Sequence, residues 1–420
     1  MPSQPFVGID FGTTNTAVGL AHANGAVELA SLAGPQGSRS STWRTVLFFE
    51  DSAPATAGAL AVERFLEVEG DGRLVQSIKS YLASAAFKRT FILGRAYTLE
   101  DLITQFLRLL RKGVQQDLGT KAVVGRPVRY WGSQSEIDET RALTRMRESL
   151  EGAGFSDVVF EYEPVAAALR YASKLQREEL ILVADFGGGT SDFSLLRVGP
   201  QLEPGARDAI LATAGLGIGG DSFDARMIDA AIAPELGLGT TYKDEFGRET
   251  PVPAALFSKL RRWHYLSFLK EPATLRLLER IEQGTNVPNK IARMLALVRD
   301  ELGLPLHRAV EQAKVQLSSQ AQGQFSLPAI ALEVAMEREN LETWISPELE
   351  AIDDTLERML RDAGVPAAQV DTVFATGGSS LVPVVRRRLA ARFGANKLMG
   401  GEELTSVAWG LAARARQIFS

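Results

Sequence analysis

Two short stretches of the chain combine the residue types that polyphosphate chemistry needs. One is "ADFGGGTSDFSLL", Ala184 to Leu196, where Gly187, Gly188 and Gly189 follow Asp185 and precede Thr190 and Asp192. Three glycines carry no side chains, so backbone N–H groups there could approach an anion closely. Asp185 and Asp192 repel a phosphate, but they could hold a divalent cation that rides on one. A tight hairpin turn also asks for glycine, so this stretch alone supports both readings. The other stretch is "GIDFGTTNTAV", Gly8 to Val18. Its Asp10-Phe11-Gly12 repeats Asp185-Phe186-Gly187, and Thr13 and Thr14 follow. The repetition favours the phosphate reading.

The flanking residues say what positions these loops. Leu180 to Val183 and Phe193 to Val198 are apolar runs that read as strands, and the first loop lies between similar runs. Residues 6–32 read as a hairpin and a further strand. A second echo is a pair of helices with small faces, "PVAAALRYA" (Pro164 to Ala172) and "SVAWGLAARA" (Ser406 to Ala415). Small faces let helices cross closely. Each half of the chain thus has a hairpin phosphate loop and a small-faced helix, as expected of two similar lobes clamping one polyphosphate.

Strands and helices alternate elsewhere, which predicts the α/β class. Residues 34–44 read as a loop. A helix is capped at Thr98, with Asp101 at the capping-box position, and is closed by Gly119. Residues 121–126 read as a strand broken by Pro127. Residues 237–310 read as a polar insert, 311–319 as helical, and 333–364 as one or two helices. Residues 370–394 read as strand, glycine turn and helix, and the end as helical.

At 420 residues, with 45% hydrophobic and 23% charged residues and a net charge of −5, the composition is that of a globular protein. The charge argues against nucleic-acid or membrane-surface partners. No cysteine is present, so thiolate chemistry and disulfides are excluded, and His22, His264 and His307 are too scattered for a His-rich metal site. The first residues lack a signal-peptide pattern and no span of about 20 apolar residues exists, so a cytoplasmic location is expected. "GLGIGGD" matches a dinucleotide fingerprint, but a helix follows where a second strand should be. Asp-Phe-Gly also occurs in protein kinases, whose other motifs are missing.

Taken together, these segments resemble the ATPase domain of the DnaK-type heat-shock chaperones, within the actin-like superfamily. "GIDFGTTNTAV" and "ADFGGGTSDFSLL" resemble its two phosphate motifs, and "EPVAAALRYA" and "SVAWGLAARA" its connecting helices. "GIGGDSFDARMID", "EQAKVQLSS" and "TGGSSLVPVVRRRL" resemble its Gly-Gly segment, adenosine-side helix and adenosine motif. The resemblance implies a two-lobed actin-like ATPase with duplicated ribonuclease-H-like lobes. Lobe I would span 1–174, with an insert at about 38–100, and lobe II 175–420, with an insert at about 221–318. No counterpart of the linker, peptide-binding domain and lid is found, as in the short YegD-like members, so no autonomous peptide-binding domain is expected.

The resemblance also implies roles. Asp10 and Asp185 would position Mg²⁺ through its water shell. Gly12, Thr13, Thr14 and Asn15 would hold phosphates. Lys79 would meet the γ-phosphate and the attacking water, Glu163 would order Mg²⁺ waters, and Thr190 would contact the γ-phosphate region. Gly187, Gly188, Gly189, Gly219 and Gly220 would supply backbone donors, with Asp221 following. Glu311, Lys314 and Ser318 would face the nucleoside, opposite Gly377, Gly378 and Ser379. Pro127 sits at the family's switch proline. By itself Lys79 also reads as a solvated helix lysine, and Glu163 as a helix-start acid.

The family stacks adenine between two arginines; here Val315 and Leu381 stand at those positions. ATP or ADP with Mg²⁺ is the expected cofactor set, with K⁺ a candidate further ion. The expected function is a slow ATPase and nucleotide switch acting on a protein partner or co-chaperone. A filament-forming ATPase and a small-molecule kinase of the same superfamily are the alternatives. The first would sediment with nucleotide, and the second needs an acceptor pocket with a base, which no segment suggests.

Overall fold

A computed structural model describes residues 4–51, 53–68, 71–172, 175–200, 209–262, 266, 269–399 and 406–420; His264 lies outside them. The first sheet grows from the apolar runs around Asp10. Strand Phe6–Phe11 buries Val7, Ile9 and Phe11 and pairs antiparallel with Asn15–Ala21, Phe11 facing Thr16. Its other edge runs parallel to Lys121–Arg126, which runs parallel to Asp157–Tyr162. Val27–Leu29 closes the outer side of the hairpin. Alternation of buried apolar residues with a mixed face fits a strand covered on one side by helix.

The second sheet repeats this plan. Glu179–Phe186 pairs antiparallel with Ser191–Val198, Phe186 facing Ser191, and runs parallel to Thr372–Thr376 on its other edge. Leu398–Met399 lies parallel beyond it, and Ile210–Leu216 closes the hairpin side. Strand order therefore matches across the two sheets, each with an antiparallel hairpin followed by parallel strands, and in each the last parallel strand precedes a small-faced helix.

These helices, Glu163–Ala172 and Ser406–Phe419, meet at backbone distance. A Cβ on Gly410 would stand 1.9 Å from the Ala166 carbonyl oxygen. Gly8 and Gly19 likewise admit the Ser406–Phe419 helix, since their Cβ atoms would lie 2.2 Å from the Ala412 nitrogen and the Ala408 oxygen. Val165, Ala168 and Ala172 of the other helix pack with Ile181, Val183 and Leu196 of the second sheet. Arg414 and Glu161, each 1% exposed, form a buried ion pair at 3.1 Å.

The chain divides into two compact units. One holds residues 1–215, 356–378 and 389–420, and contains both sheets; the other holds 216–355 and 379–388. The second unit is built from helices Pro272–Gly284, Pro288–Arg299 and Gly303–Ser319 and the hairpins Thr241–Lys243/Glu249–Pro251 and Gln322–Leu327/Leu332–Glu337.

Three expectations are corrected. The helix capped at Thr98 forms its capping box with Asp101 but ends at Gly113, not Gly119. Val114 turns extended, bridges Leu32 and buries its side chain, so tertiary pairing ends the helix. Within 34–44, Thr42–Arg44 is a strand on Asn15–Ala17, held by the buried Trp43, whose indole N–H donates to the Ala33 carbonyl. Residues 333–337 are strand rather than helix, because Phe325 and Val334 pair across a hairpin; helices Arg338–Trp344 and Ser346–Asp362 follow.

Candidate nucleotide site

In the first unit the residues expected to carry chemistry come together. Asp10 is the penultimate residue of its strand and Asp185 of its own, because the two hairpins share one layout. Lys79 lies in the short helical turn Ile78–Tyr81, opened by Ser77 at φ 56. Glu163 begins the first small-faced helix. Lys79 Nζ donates to Glu163 Oε1 at 2.7 Å, with side chains only 12% and 19% exposed.

The electrostatics show how crowded this place is. Burial, then Glu163 and Asp185, push the Asp10 carboxyl up to about 7, while Lys79 opposes them. Asp185 is raised too, by burial first, against a hydrogen bond from Thr376 Oγ1 at 2.9 Å. Burial disfavours the Lys79 ammonium, but Glu163 and Asp10 outweigh it and hold its pKa up at about 12. Three carboxylates around one ammonium leave an excess of negative charge where water is scarce, which a cation relieves. Among the described residues no three acidic or histidine side chains converge closely enough to ligate an ion directly. The donor set fits a hydrated Mg²⁺, which keeps several waters, rather than a caged ion.

The loops beside the carboxylates are shaped by contact. A Cβ on Gly12 would lie 2.1 Å from the Asn15 carbonyl oxygen, so no other residue closes that turn. Thr13 and Thr14 are half-buried and Asn15 exposed, and the Thr14 carbonyl accepts from Thr45 N at 2.8 Å. In the second loop Gly187 N donates to Thr190 O at 2.9 Å, and nothing lies within 4 Å of where a Gly189 side chain would start. Gly188 is half-buried between them. Thr190 Oγ1 donates to Asp192 Oδ2 at 2.8 Å. Gly377, at φ 79, leaves room for the Phe186 carbonyl and the Asp185 carboxylate, and Gly378 beside it is exposed.

Of the residues expected at the nucleoside, Glu311, Lys314, Ser318 and Ser379 lie in the second unit, with Gly219, Gly220 and Asp221, while Gly377 and Gly378 belong to the first. Gly219 precedes helix Gly220–Met227, its carbonyl accepting from Ser222 N, and Asp221 is exposed. Lys314 pairs with Asp224 at 2.8 Å and donates to the Gly220 carbonyl at 3.2 Å. It therefore ties helix Gly303–Ser319 to helix Gly220–Met227. Ser318 Oγ bonds back to the Lys314 carbonyl, Glu311 is half-buried and Ser379 buried. Val315 is 62% exposed and Leu381 45% exposed, unusual values for side chains with no polar group.

The structure adds residues that sequence reasoning missed. Gly125 gives the Glu163 side chain room, since a Cβ there would lie 3.0 Å from Glu163 Cγ. Arg126 stands over the rings of Tyr162 (5.0 Å) and Tyr130 (5.8 Å) and pairs with Glu139 at 2.8 Å, bracing the residue before Glu163. Tyr130 is 3% exposed, and burial raises its phenol to about 12. Thr376 and Asp224 were legible only as members of a turn and a helix.

Paired sheets, each presenting an Asp-Phe-Gly hairpin and followed by a small-faced helix, define the α/β actin-like ATPase fold. The family model described as "Hsp70 protein" matches residues 73–236 and 297–419, and the chain belongs to that family. It is 25% identical over 422 residues to the chaperone protein DnaK of Thermosipho africanus, covering 97% of this chain and 58% of that protein. It is 27% identical over 417 residues to DnaK of Thermotoga neapolitana, covering 96% and 58%. The chain thus spans less than two thirds of the length of these curated relatives. No helix among the described residues is long and apolar enough to cross a membrane.

Proposed function

We propose that this protein is a slow, Mg²⁺-dependent ATPase whose nucleotide state is read by a protein partner. The observation that carries the reading is the buried Lys79–Glu163 pair set among Asp10 and Asp185. Asp10 and Asp185 would hold the hydrated Mg²⁺, which supplies charge neutralisation on the phosphates. Loop amides at Gly12–Thr14 and Gly187–Gly189 receive phosphate oxygens. Lys79 faces the γ-phosphate, orients the attacking water and stabilises charge on the transferring group. Glu163 fixes the direction of the Lys79 ammonium. Thr190 lies on the γ-phosphate side, and Glu311, Lys314, Ser318 and Ser379 on the nucleoside side. The lobe boundaries 1–174 and 175–420, ATP as the nucleotide and a cytoplasmic site of action belong to the same reading, which the relatives named DnaK support.

Asp10→Asn and Asp185→Asn test it. Each should cut Mg²⁺-dependent ATP hydrolysis by at least about 100-fold while far-UV circular dichroism stays that of the parent. Hydrolysis at the parent rate in either variant overturns the assignment.

A further inference from the structure

Strands Thr90–Ile92 and Arg95–Tyr97 form a hairpin that pairs with no third strand among the described residues. Its inner face is anchored: Ile92 is 3% exposed, and the Tyr97 ring lies 5.2 Å from Phe49. Its outer face is not. Phe91 is 65% exposed, opposite the exposed Ala96, and Tyr81 nearby in sequence is 46% exposed.

The tip is stranger. Leu93 adopts φ 48 and Gly94 φ 76, two left-handed residues in succession, for which Asn-Gly is the favoured pair. A bulky side chain is strained there, and Leu93 recovers only part of this by burial, being 50% exposed. Two local rules are broken at once with no gain inside this chain, which is the mark of a site used from outside.

Charge narrows the partner. Between Gly72 and Leu99 the sequence contains no carboxylate, in a protein of net charge −5. Lys88, Arg89 and Arg95 are exposed, and the Arg89 guanidinium sits 5.6 Å from the Phe91 ring. Cations on short open strands keep copies of one chain from pairing edge to edge. The same cations welcome an acidic strand.

We propose that the outer face of this hairpin docks an acidic protein segment that also presents an apolar side chain. Phe91 and Leu93 supply the apolar contact, Arg89, two residues before Phe91, and its neighbour Lys88 the charge match, and the open edges the backbone partners. A bilayer could use the first two but not the third, so the edges favour a polypeptide. The proposal does not rest on the ATPase reading.

The test uses the whole protein and a short labelled peptide alternating glutamate and leucine, with its lysine–leucine counterpart and phosphatidylcholine–phosphatidylserine vesicles as comparators. Fluorescence anisotropy should show saturable binding of the acidic peptide, weakened by salt and absent for the basic one. Phe91→Ser with Leu93→Asn should weaken it by about tenfold or more, as should Lys88→Glu with Arg89→Glu. Leu93→Asn alone should unfold no earlier than the parent, because asparagine tolerates the left-handed turn. No saturable binding, equal binding by the variants, or vesicle binding without peptide binding would overturn the proposal.

Discussion

Lys79 Nζ donates to Glu163 Oε1 at 2.7 Å although the residues stand 84 positions apart. One arrives on a short turn that starts from a left-handed serine, the other on the first residue of a helix, and Gly125 leaves the space in which they meet. A lysine with a pKa of about 12 is a fixed cation at any physiological pH, suited to holding charge rather than moving protons.

Lys79→Ala should therefore lower the single-turnover rate of ATP hydrolysis by about 10²–10³-fold, the usual effect of losing one well-placed charge donor. Glu163→Gln keeps a hydrogen-bond acceptor and should cost less, about tenfold. Combining them should cost no more than Lys79→Ala alone, because the pair acts as a unit. Multiplying losses would show that the two residues work independently.

Gly410→Ala should be among the most damaging small substitutions, since its Cβ would enter the Ala166 carbonyl. Overpacking usually costs about 1–3 kcal/mol, and a backbone obstacle that cannot rotate aside should put this at the top of that range or beyond. Gly189→Ala, facing open space, is the control. Thermal melts of the two should separate clearly, with Gly189→Ala close to the parent.

The proposed nucleotide site puts Val315 and Leu381 at the base. Guanidinium over an aromatic ring is worth roughly 0.5–2 kcal/mol per contact. If they stand where the relatives stack adenine, ATP and GTP should bind with similar affinity by calorimetry, while loss of the γ-phosphate should still matter. Val315→Arg with Leu381→Arg should tighten ATP binding. Nanomolar ATP affinity with rejection of GTP would show a base pocket built from other residues.

Asp224 sets a pH dependence. Burial raises its carboxyl to about 6 against the pull of Lys314. An acid whose folded pKa is raised binds its proton more tightly folded than unfolded, so the contribution of Asp224 to stability is greatest below about 4 and falls as pH rises towards 6. Denaturant titrations across that window should show this decline, and Asp224→Asn should flatten it. An unchanged slope in the variant would place the cause elsewhere.

The hairpin loops were legible because Asp-Phe-Gly occurs twice between apolar runs, and a repeated pattern survives local noise. The small-faced helices were legible for the same reason. What could not be read was set by distant partners. Nothing around Gly125 announces that the stem of Glu163 will arrive there. "EVAME" is composed of acceptable helix formers and becomes a strand only because Gln322–Leu327 lies alongside. Lys79 could be singled out by resemblance, but its partner and burial come from tertiary structure. Lys314 was expected at the nucleoside, and its bond to Asp224 shows a bracing role that helix periodicity does not reveal.

The cover over the first sheet has a consequence for biosynthesis. Gly8 and Gly19 are closed over by Ala412 and Ala408, which follow them by about 400 positions in the chain. Until these arrive the grooved face of that sheet has no lid, and Glu161 lacks the arginine that neutralises it. Such late, long-range closure makes folding slow and leaves apolar surface open during synthesis.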